Sequence, residues 1–235
     1  MERKKIVHRL DTPYSTVEWP QIGQEDQDAI LELLCRLLAP LGMHRKSYIT
    51  PSKGRRRRPR KPAASDDPEA TSPVPPAPEL AAYVDVGLSN ISRQLQDMSA
   101  APDHSATPKS KNKVGQAPYS VVFVARSGQS SAFNCHFPQM AALVSKSQPT
   151  EEALRLVGFS RSCEDRLSAA LGIPRVSSIA IRDDAPQAKG LVGFVRDHVA
   201  PIKVGWLQEA RSGGILETKI EAVQTMVGSK RPKTS

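Results

Sequence analysis

Apolar residues recur at helical spacing in two long segments of the chain. The stronger stripe lies within residues 29–41, with acidic residues before it and Gly42 after it. Its members are Ile30, Leu33, Leu34, Leu37, Leu38 and Leu41. Steps of three and four residues put these side chains on one helical face, and glycine is common just past the end of a helix. We therefore predict a core helix over 29–41 that ends at Gly42.

A second apolar stripe begins directly after Gly87 and predicts an amphipathic helix. Its members are Leu88, Ile91, Leu95 and Met98. Because glycine has no Cβ, Gly87 can adopt a positive φ at the corner between a short extended segment and this helix. We predict that Ser89 or Asn90 caps the helix with its side chain.

Shorter helices and strands alternate over the second half of the chain. We predict helices at 137–146, 166–171 and 191–199, and strands at 119–125 and 176–181. A capping box starting at Ser162 favours the start of the second of these helices, and Gly172 favours its end. The segment 153–159 is compatible with either a helix start or a short strand. This alternation predicts an α/β layered fold.

Two segments are too rich in proline, serine and charge to bury much apolar surface, and we expect them to be disordered linkers. They lie at 50–78 and 99–117. We expect one domain that they interrupt, with an extended segment and the first helix in 1–49, the remainder in 79–98 and 118–208, and a basic tail in 209–235. Large aromatic residues in the first segment, Tyr14 and Trp19, are predicted to pack on this domain.

The charge of the chain indicates a polyanionic partner. The 235 residues carry a formal net charge of +9, which favours nucleic acid first and an acidic membrane second. The three cysteines have no paired spacing, so a reducing compartment fits better than a disulfide framework. We find no signal peptide and no apolar stretch of membrane-spanning length, and we expect a soluble intracellular protein.

The sequence shows no pattern typical of a catalyst. The five histidines are scattered, and the neighbours Cys135 and His136 favour a structural role over metal ligation. Asp183 and Asp184 follow a predicted strand, but a solvated loop explains them better than a magnesium site. Phosphate-binding glycine motifs and nucleophile motifs are absent. We expect neither enzymatic activity nor a cofactor.

A dense basic run lies in the first linker. It consists of Lys53, Arg55, Arg56, Arg57, Arg58, Arg60 and Lys61. Three interpretations remain open: a nuclear import signal, an arm that binds RNA or DNA, and a solvated linker. The first two can coexist.

The corner at Gly87 is the most specific candidate site. Backbone N–H groups, the Asn90 amide and the Arg93 guanidinium converge there at a helix N-terminus, which suits phosphate and base edges. An ordinary surface helix explains the same residues. However, Gly87-Leu-Ser-Asn-Ile-Ser-Arg93 resembles the G-x-N-E-x-T-K signature of the kink-turn-binding ribosomal-protein superfamily.

Two further segments extend this resemblance. The stretch Ala170-Leu-Gly-Ile-Pro-Arg-Val-Ser-Ser178 is similar to the superfamily loop that lies beside flipped-out RNA bases. The segment from Asp11 to Pro20 and the late Val204-Gly-Trp-Leu-Gln208 resemble the Pop-three family of fungal ribonuclease P and RNase MRP subunits.

The resemblance implies a three-layer α/β/α sandwich with a small mixed sheet. It also implies a nuclear, nucleolar RNA-binding subunit of an RNA-based endonuclease, with the particle's RNA and other protein subunits as partners and no membrane. Matched residue by residue, Gly87, Ser89, Asn90 and Arg93 would contact RNA. Ile173, Arg175 and Val176 would cover unstacked bases. Asn90 stands where the superfamily has Glu, which implies either a looser RNA motif than a strict kink-turn or binding shared with neighbouring protein subunits.

A rival of a different class is a nuclear protein-interaction adaptor with a degenerate fold of the same kind. In that case the helix at 86–97 would contact another protein. An RNA-modifying enzyme is ranked last, because the sequence shows no cofactor motif.

Overall fold

The computed structural model describes residues 4–11, 17–49, 75–100, 117–202, 204–205 and 217–226. The chain divides into two compact units. The larger unit is Glu18–Ile202, and the smaller unit combines Met1–Val17 with Lys203–Ser235.

Six strands and five helices occupy the described residues. The strands are β1 (Lys4–Asp11), β2 (Val84–Val86), β3 (Tyr119–Ala125), β4 (Arg155–Phe159), β5 (Ser178–Arg182) and β6 (Lys219–Met226). The helices are α1 (Gln24–Tyr48), α2 (Leu88–Ser99), α3 (Phe137–Val144), α4 (Glu164–Leu171) and α5 (Lys189–His198). Short 3-10 turns occur at Glu79–Ala82, Ser131–Phe133 and Ser145–Ser147. The alternation confirms the α/β prediction, and the ambiguous segment at 153–159 contains a strand.

The larger unit is built on a four-stranded mixed sheet in the order β2-β5-β3-β4. β3 and β4 are parallel, with Val121 opposite Arg155 and Ala125 opposite Phe159. β5 runs antiparallel to both β3 and β2. β3 is buried along its whole length, because helices cover both faces of the sheet.

Alternate side chains of each strand enter two separate cores. Val121, Phe123 and Ile179 join one core together with α1, α4 and α5. Val122 and Ala180 join the other core together with α2 and α3. The larger unit is therefore a three-layer α/β/α sandwich, as the resemblance implies. Trp19 packs against the second core, as expected, whereas Tyr14 lies outside the described residues.

Helix α1 is longer than its apolar stripe predicts, and the predicted end at Gly42 is wrong. The helix runs for 25 residues and continues past both Pro40 and Gly42. A Cβ on Gly42 would lie 2.0 Å from the carbonyl oxygen of Ala170, the penultimate residue of α4. Gly42 is therefore a close-contact position where α1 and α4 cross, and it does not end the helix.

Two further local predictions need correction. The residue that precedes α4 is Cys163, and no side chain makes a capping hydrogen bond there, so the capping box at Ser162 is not formed. β5 begins two residues later than predicted, at Ser178. Gly172 does end α4, in a left-handed conformation with φ 65°, as predicted.

The smaller unit contains an antiparallel ribbon of β1 and β6. Its register pairs Lys4 with Met226 and Asp11 with Lys219, and the latter two also form an ion pair at 3.1 Å. Residues 219–226 of the segment that we expect to be a basic tail, 209–235, form strand β6. The partner strand lies more than two hundred residues earlier in the sequence, so the pairing leaves no local signal.

Most of both predicted linkers lies outside the described residues. No helix within the described ranges is long and apolar enough to cross a bilayer.

Candidate nucleic-acid interface

Four loops meet at one edge of the sheet because of the strand directions. β2, β3 and β4 run in one direction and β5 runs against them. The residues that follow β2, β3 and β4 therefore lie on the same side as those that precede β5. We call this side, made of residues 87–93, 126–136, 160–163 and 172–177, the loop edge.

Backbone hydrogen bonds join these segments directly. The Gly87 N–H donates to the Ser178 carbonyl at 3.0 Å, and the Ala125 N–H donates to the Ser177 carbonyl at 2.9 Å. The Arg126 N–H donates to the Phe159 carbonyl at 3.1 Å. The Gly87 corner and the loop before β5 are therefore neighbours in the structure, although more than eighty residues separate them in the sequence.

Gly87 is the residue that precedes α2, and its backbone has φ 100° and ψ 136°. No side chain caps this helix. The predicted caps are wrong, because Ser89 and Asn90 already lie inside the first turn, where their side chains are exposed. The first backbone N–H groups of α2 therefore have no side-chain cap, a property typical of anion-binding helix termini.

Replacing Gly87 with alanine should destabilise the protein by about 1 to 3 kcal/mol, the range for a side chain forced into a sparsely populated backbone region. An added Cβ would meet no atom within 4 Å, so the cost is conformational rather than steric. Urea unfolding followed by circular dichroism measures the change.

Gly193 in α5 provides the matched control. An added Cβ there also meets nothing within 4 Å, and its φ is not positive. Gly193→Ala should stabilise the protein by up to about 1 kcal/mol, since alanine favours a helix over glycine. Equal effects of the two substitutions would contradict the conformational role of Gly87.

Asp85 in β2 fixes the orientation of Asn90. Its Oδ1 accepts a hydrogen bond from Asn90 Nδ2 at 3.2 Å. An ionised carboxylate only accepts hydrogen bonds, so the Asn90 NH₂ group must face it. The Asn90 carbonyl oxygen and one N–H are left for a ligand. The Glu of the superfamily signature could not bond to Asp85 in this way.

The other carboxylate oxygen of Asp85 is held by two buried partners. Tyr119 Oη donates to Oδ2 at 2.6 Å, and Arg182 Nη2 donates to the same atom at 2.6 Å. Burial, reinforced by the bond to Asp85, raises the pKa of Tyr119, so the phenol keeps the proton that it donates. The charges of Asp85 and Arg182 compensate each other, which preserves the positive end of the α2 dipole.

Arg93 lies on the exposed side of α2, one turn after Asn90. The Oγ of its neighbour Ser92 is hydrogen-bonded to Nε2 of His136 at 2.7 Å, and His136 is the residue before α3. Burial lowers the pKa of His136, so this contact is made by a neutral imidazole at neutral pH. Ser92 and His136 thus attach α2 to the loop between β3 and α3.

The loop between α4 and β5 carries three predicted RNA contacts, of which one has an exposed side chain. Arg175 is exposed and has φ 58°, an uncommon conformation for a side chain of this size. Ile173 is half-buried against the larger core. Val176 is only 1% exposed and belongs to that core, so the prediction that it covers an RNA base is wrong. Its side chain is already inside the sheet–helix layer.

Arg175 lines a cavity of about 310 Å³ between two loops of the edge. The other lining residues are Gly128, Gln129, Glu164 and Ser177. The cavity therefore contains a guanidinium, a carboxylate, an amide and a hydroxyl group, which together can donate to and accept from a base edge.

Sequence reasoning missed Arg126 in this edge, and it missed Asp85 and Trp19 as the residues that hold Asn90 and Arg126 in place. Arg126 follows the buried strand β3, and its guanidinium carbon lies 4.6 Å from the centre of the Trp19 ring. Two signals were present in the sequence: a charged residue between two valines in β2, and an arginine directly after the β-favouring run 119–125.

The remaining predicted residues fall elsewhere. The basic run from Lys53 to Lys61, as well as Trp206 and Leu207, lies outside the described residues. Asp183, for which the sequence favours a solvated loop, accepts hydrogen bonds from Ser120 Oγ at 2.8 Å and from Arg196 Nη2 at 3.2 Å. In the ranges that the structure covers, no cluster of three or more His, Cys, Asp or Glu side chains could hold a metal ion.

The loop edge therefore combines an uncapped helix N-terminus, exposed arginines and a fixed amide. Known families give no independent assignment for this arrangement, because no protein-family model matches the chain and no curated protein is significantly similar to it.

Proposed function

We propose that this chain is a non-catalytic, RNA-binding protein subunit of the ribonuclease P and RNase MRP ribonucleoproteins, and that the loop edge binds RNA. In such particles the RNA performs the cleavage of precursor tRNA and precursor rRNA. The protein would hold RNA in its active shape together with other protein subunits.

One observation carries the proposal: the hydrogen bond between the Gly87 N–H and the Ser178 carbonyl at 3.0 Å. The two segments that resemble RNA-contacting elements of the superfamily adjoin through this bond. Without it, each resemblance would be a short and weak motif. With it, Asn90, Arg93 and Arg175 belong to one side of the sheet.

The chemistry of the loop edge is suited to RNA. Exposed Arg93, Arg126 and Arg175 can meet phosphates, while the Asn90 amide can meet a base edge. The net charge of +9 favours association with a polyanion over long range. The basic run at 53–61 supports a nuclear, nucleolar location and offers further phosphate contacts.

Arg93→Glu should weaken binding to the RNA component of the particle about tenfold or more while leaving the fold intact. Arg93 is exposed, so its replacement should change stability by no more than about 0.5 kcal/mol. Arg93→Gln should also lower the slope of log K against log salt by about 0.7 to 0.9, because one phosphate contact is lost. Fluorescence anisotropy with labelled RNA over a salt series measures both.

Lys189→Glu is the matched control, because it makes the same change in net charge at the other side of the sheet. Lys189 is exposed and begins α5, which follows the far end of β5. It should reduce RNA affinity only slightly. If Arg93→Glu and Lys189→Glu weakened binding equally, RNA would be attracted by overall charge and the loop edge would have no special role.

A protein-interaction adaptor is a second candidate, and the β1–β6 ribbon favours it. Ile6, Leu10, Ile220 and Met226 lie on one face of the ribbon and are all at least 60% exposed. Exposed apolar side chains that share one face are typical of a surface that a protein partner covers. Nuclease treatment before affinity purification separates the two functions: an adaptor keeps its partners, whereas an RNA subunit loses those that RNA bridges.

A further inference from the structure

The loop between β3 and α3, residues 126–136, contains a cavity. Neither helix α2 nor the loop before β5 lines it. Its volume is about 250 Å³. It is lined by Arg126, Ser127, Gln129, Ser131, Asn134 and Ser160. All six side chains are polar, and two of them are amides that can both donate and accept hydrogen bonds.

Asn134 is the buried member of this lining, with only 3% of its surface exposed. Its backbone is held in place, since its N–H donates to the Ser131 carbonyl at 3.1 Å and its carbonyl accepts from the Phe137 N–H at 3.3 Å. Among the described residues, no group bonds to its side-chain amide. Neither atom of this amide is among the fully buried unpaired atoms of the described residues, so both reach the cavity and can bond to a polar ligand there.

Arg126 is positioned on the rim of this cavity before any ligand arrives. Its guanidinium stacks on the Trp19 ring. Both side chains fit only because Gly158 in β4 has no Cβ, which would lie 2.6 Å from Arg126 Cδ and 2.7 Å from Trp19 Cε3. A cation fixed in this way loses little freedom when it binds an anion.

Phe133 adds an aromatic surface on the same loop. In the sequence it lies between Ser131 and Asn134, which both line the cavity, and 61% of its surface is exposed. An exposed aromatic side chain, a fixed guanidinium and free amides thus belong to one loop, and proteins use these groups to bind unpaired bases.

We propose that this loop is a nucleotide subsite for one unpaired base of a bound RNA, distinct from the Gly87 corner. The base stacks on Phe133, its polar edge bonds to the amides of Gln129 and Asn134, and its phosphate contacts Arg126. The subsite rests on the proposed RNA-binding function and extends the loop edge by one nucleotide. A base inside a duplex cannot use it, because its faces are stacked on neighbouring bases and its Watson–Crick edge is bonded to its partner.

Anisotropy titrations with two labelled probes test the subsite: a short single-stranded RNA of mixed sequence and a fully paired, blunt-ended RNA duplex. Phe133→Ala should weaken binding to the single strand by about fivefold to a hundredfold, the loss typical of one stacked base. Binding to the duplex should not change. Phe133→Trp should bind the single strand as tightly as the wild type, because stacking is retained.

Met43→Ala is the control for removing an exposed apolar side chain, since Met43 is 63% exposed on α1. It should leave both affinities unchanged. Unchanged single-strand affinity of Phe133→Ala, or an equal loss on both probes, would overturn the subsite alone. A wild-type protein that binds neither probe would overturn the proposed function and the subsite with it.

Discussion

Gly42→Ala should destabilise the protein by about 3 kcal/mol or more, the upper range for an overpacked core position. The new methyl group would lie 2.0 Å from the Ala170 carbonyl oxygen and 2.8 Å from its carbon. These are backbone atoms, so no side-chain rotation relieves the overlap, and α1 and α4 must move apart. The higher helix propensity of alanine, worth about 1 kcal/mol, offsets only part of this cost.

The displacement should also reach the loop edge. The Gly42 carbonyl oxygen lies 3.3 Å from the position of a Cβ on Gly172, which ends α4 and begins the loop that carries Arg175. We therefore expect Gly42→Ala to weaken RNA binding even at temperatures where the protein is folded. Urea unfolding and RNA anisotropy give the two measurements.

The neighbouring residue Met43 is the control for helix α1, because its exposed side chain can be shortened without touching α4. Met43→Ala should change the free energy of unfolding by no more than about 0.5 kcal/mol. A stability of Gly42→Ala equal to that of the wild type would mean that α1 and α4 do not approach as closely as described.

Asp85→Asn should cost about 3 to 5 kcal/mol, the range for removing one partner of a buried ion pair. The substitution keeps the shape of the side chain but leaves the Arg182 guanidinium, which is 4% exposed, without its counter-charge. Tyr119 and Asn90 would also lose a charged acceptor. The free energy of unfolding, measured at constant denaturant slope, reports the loss.

Asp184→Asn provides the comparison, because Asp184 is an exposed carboxylate in the turn after β5. It should change stability by no more than about 0.5 kcal/mol. A double variant, Asp85→Asn with Arg182→Gln, should be less destabilised than the sum of the two single changes, since neither charge is then left alone. Strict additivity would show that the ion pair contributes nothing.

The helices and strands were largely predictable because their signals are local. The stripe from Leu88 to Met98 and the apolar run from Tyr119 to Ala125 each correspond to an observed element. The positive φ of Gly87 was also predictable, since glycine occupies the strand-to-helix corner. Such features depend on residues within one or two turns of each other.

Predictions failed where a distant segment decides the outcome. Gly42 has the sequence context of a helix end, yet it lies where α1 and α4 cross. Helix α4 packs against it although more than a hundred residues separate the two in the sequence. Val176 was expected at the RNA surface, but its side chain packs in the core that α1, α4 and α5 form with the sheet. Strand β6 was missed because its partner is at the other end of the chain.

By itself the sequence determined the α/β class, the main helices and strands, and Gly87, Asn90 and Arg93 as candidate RNA contacts. Periodicity and glycine conformation are properties of short segments, so they can be read without coordinates. Only the tertiary structure decided that Asp85 orients Asn90, that Trp19 holds Arg126, and that four loops share one edge. Those contacts join residues far apart in the chain, and strand direction and register, which no local pattern contains, bring them together.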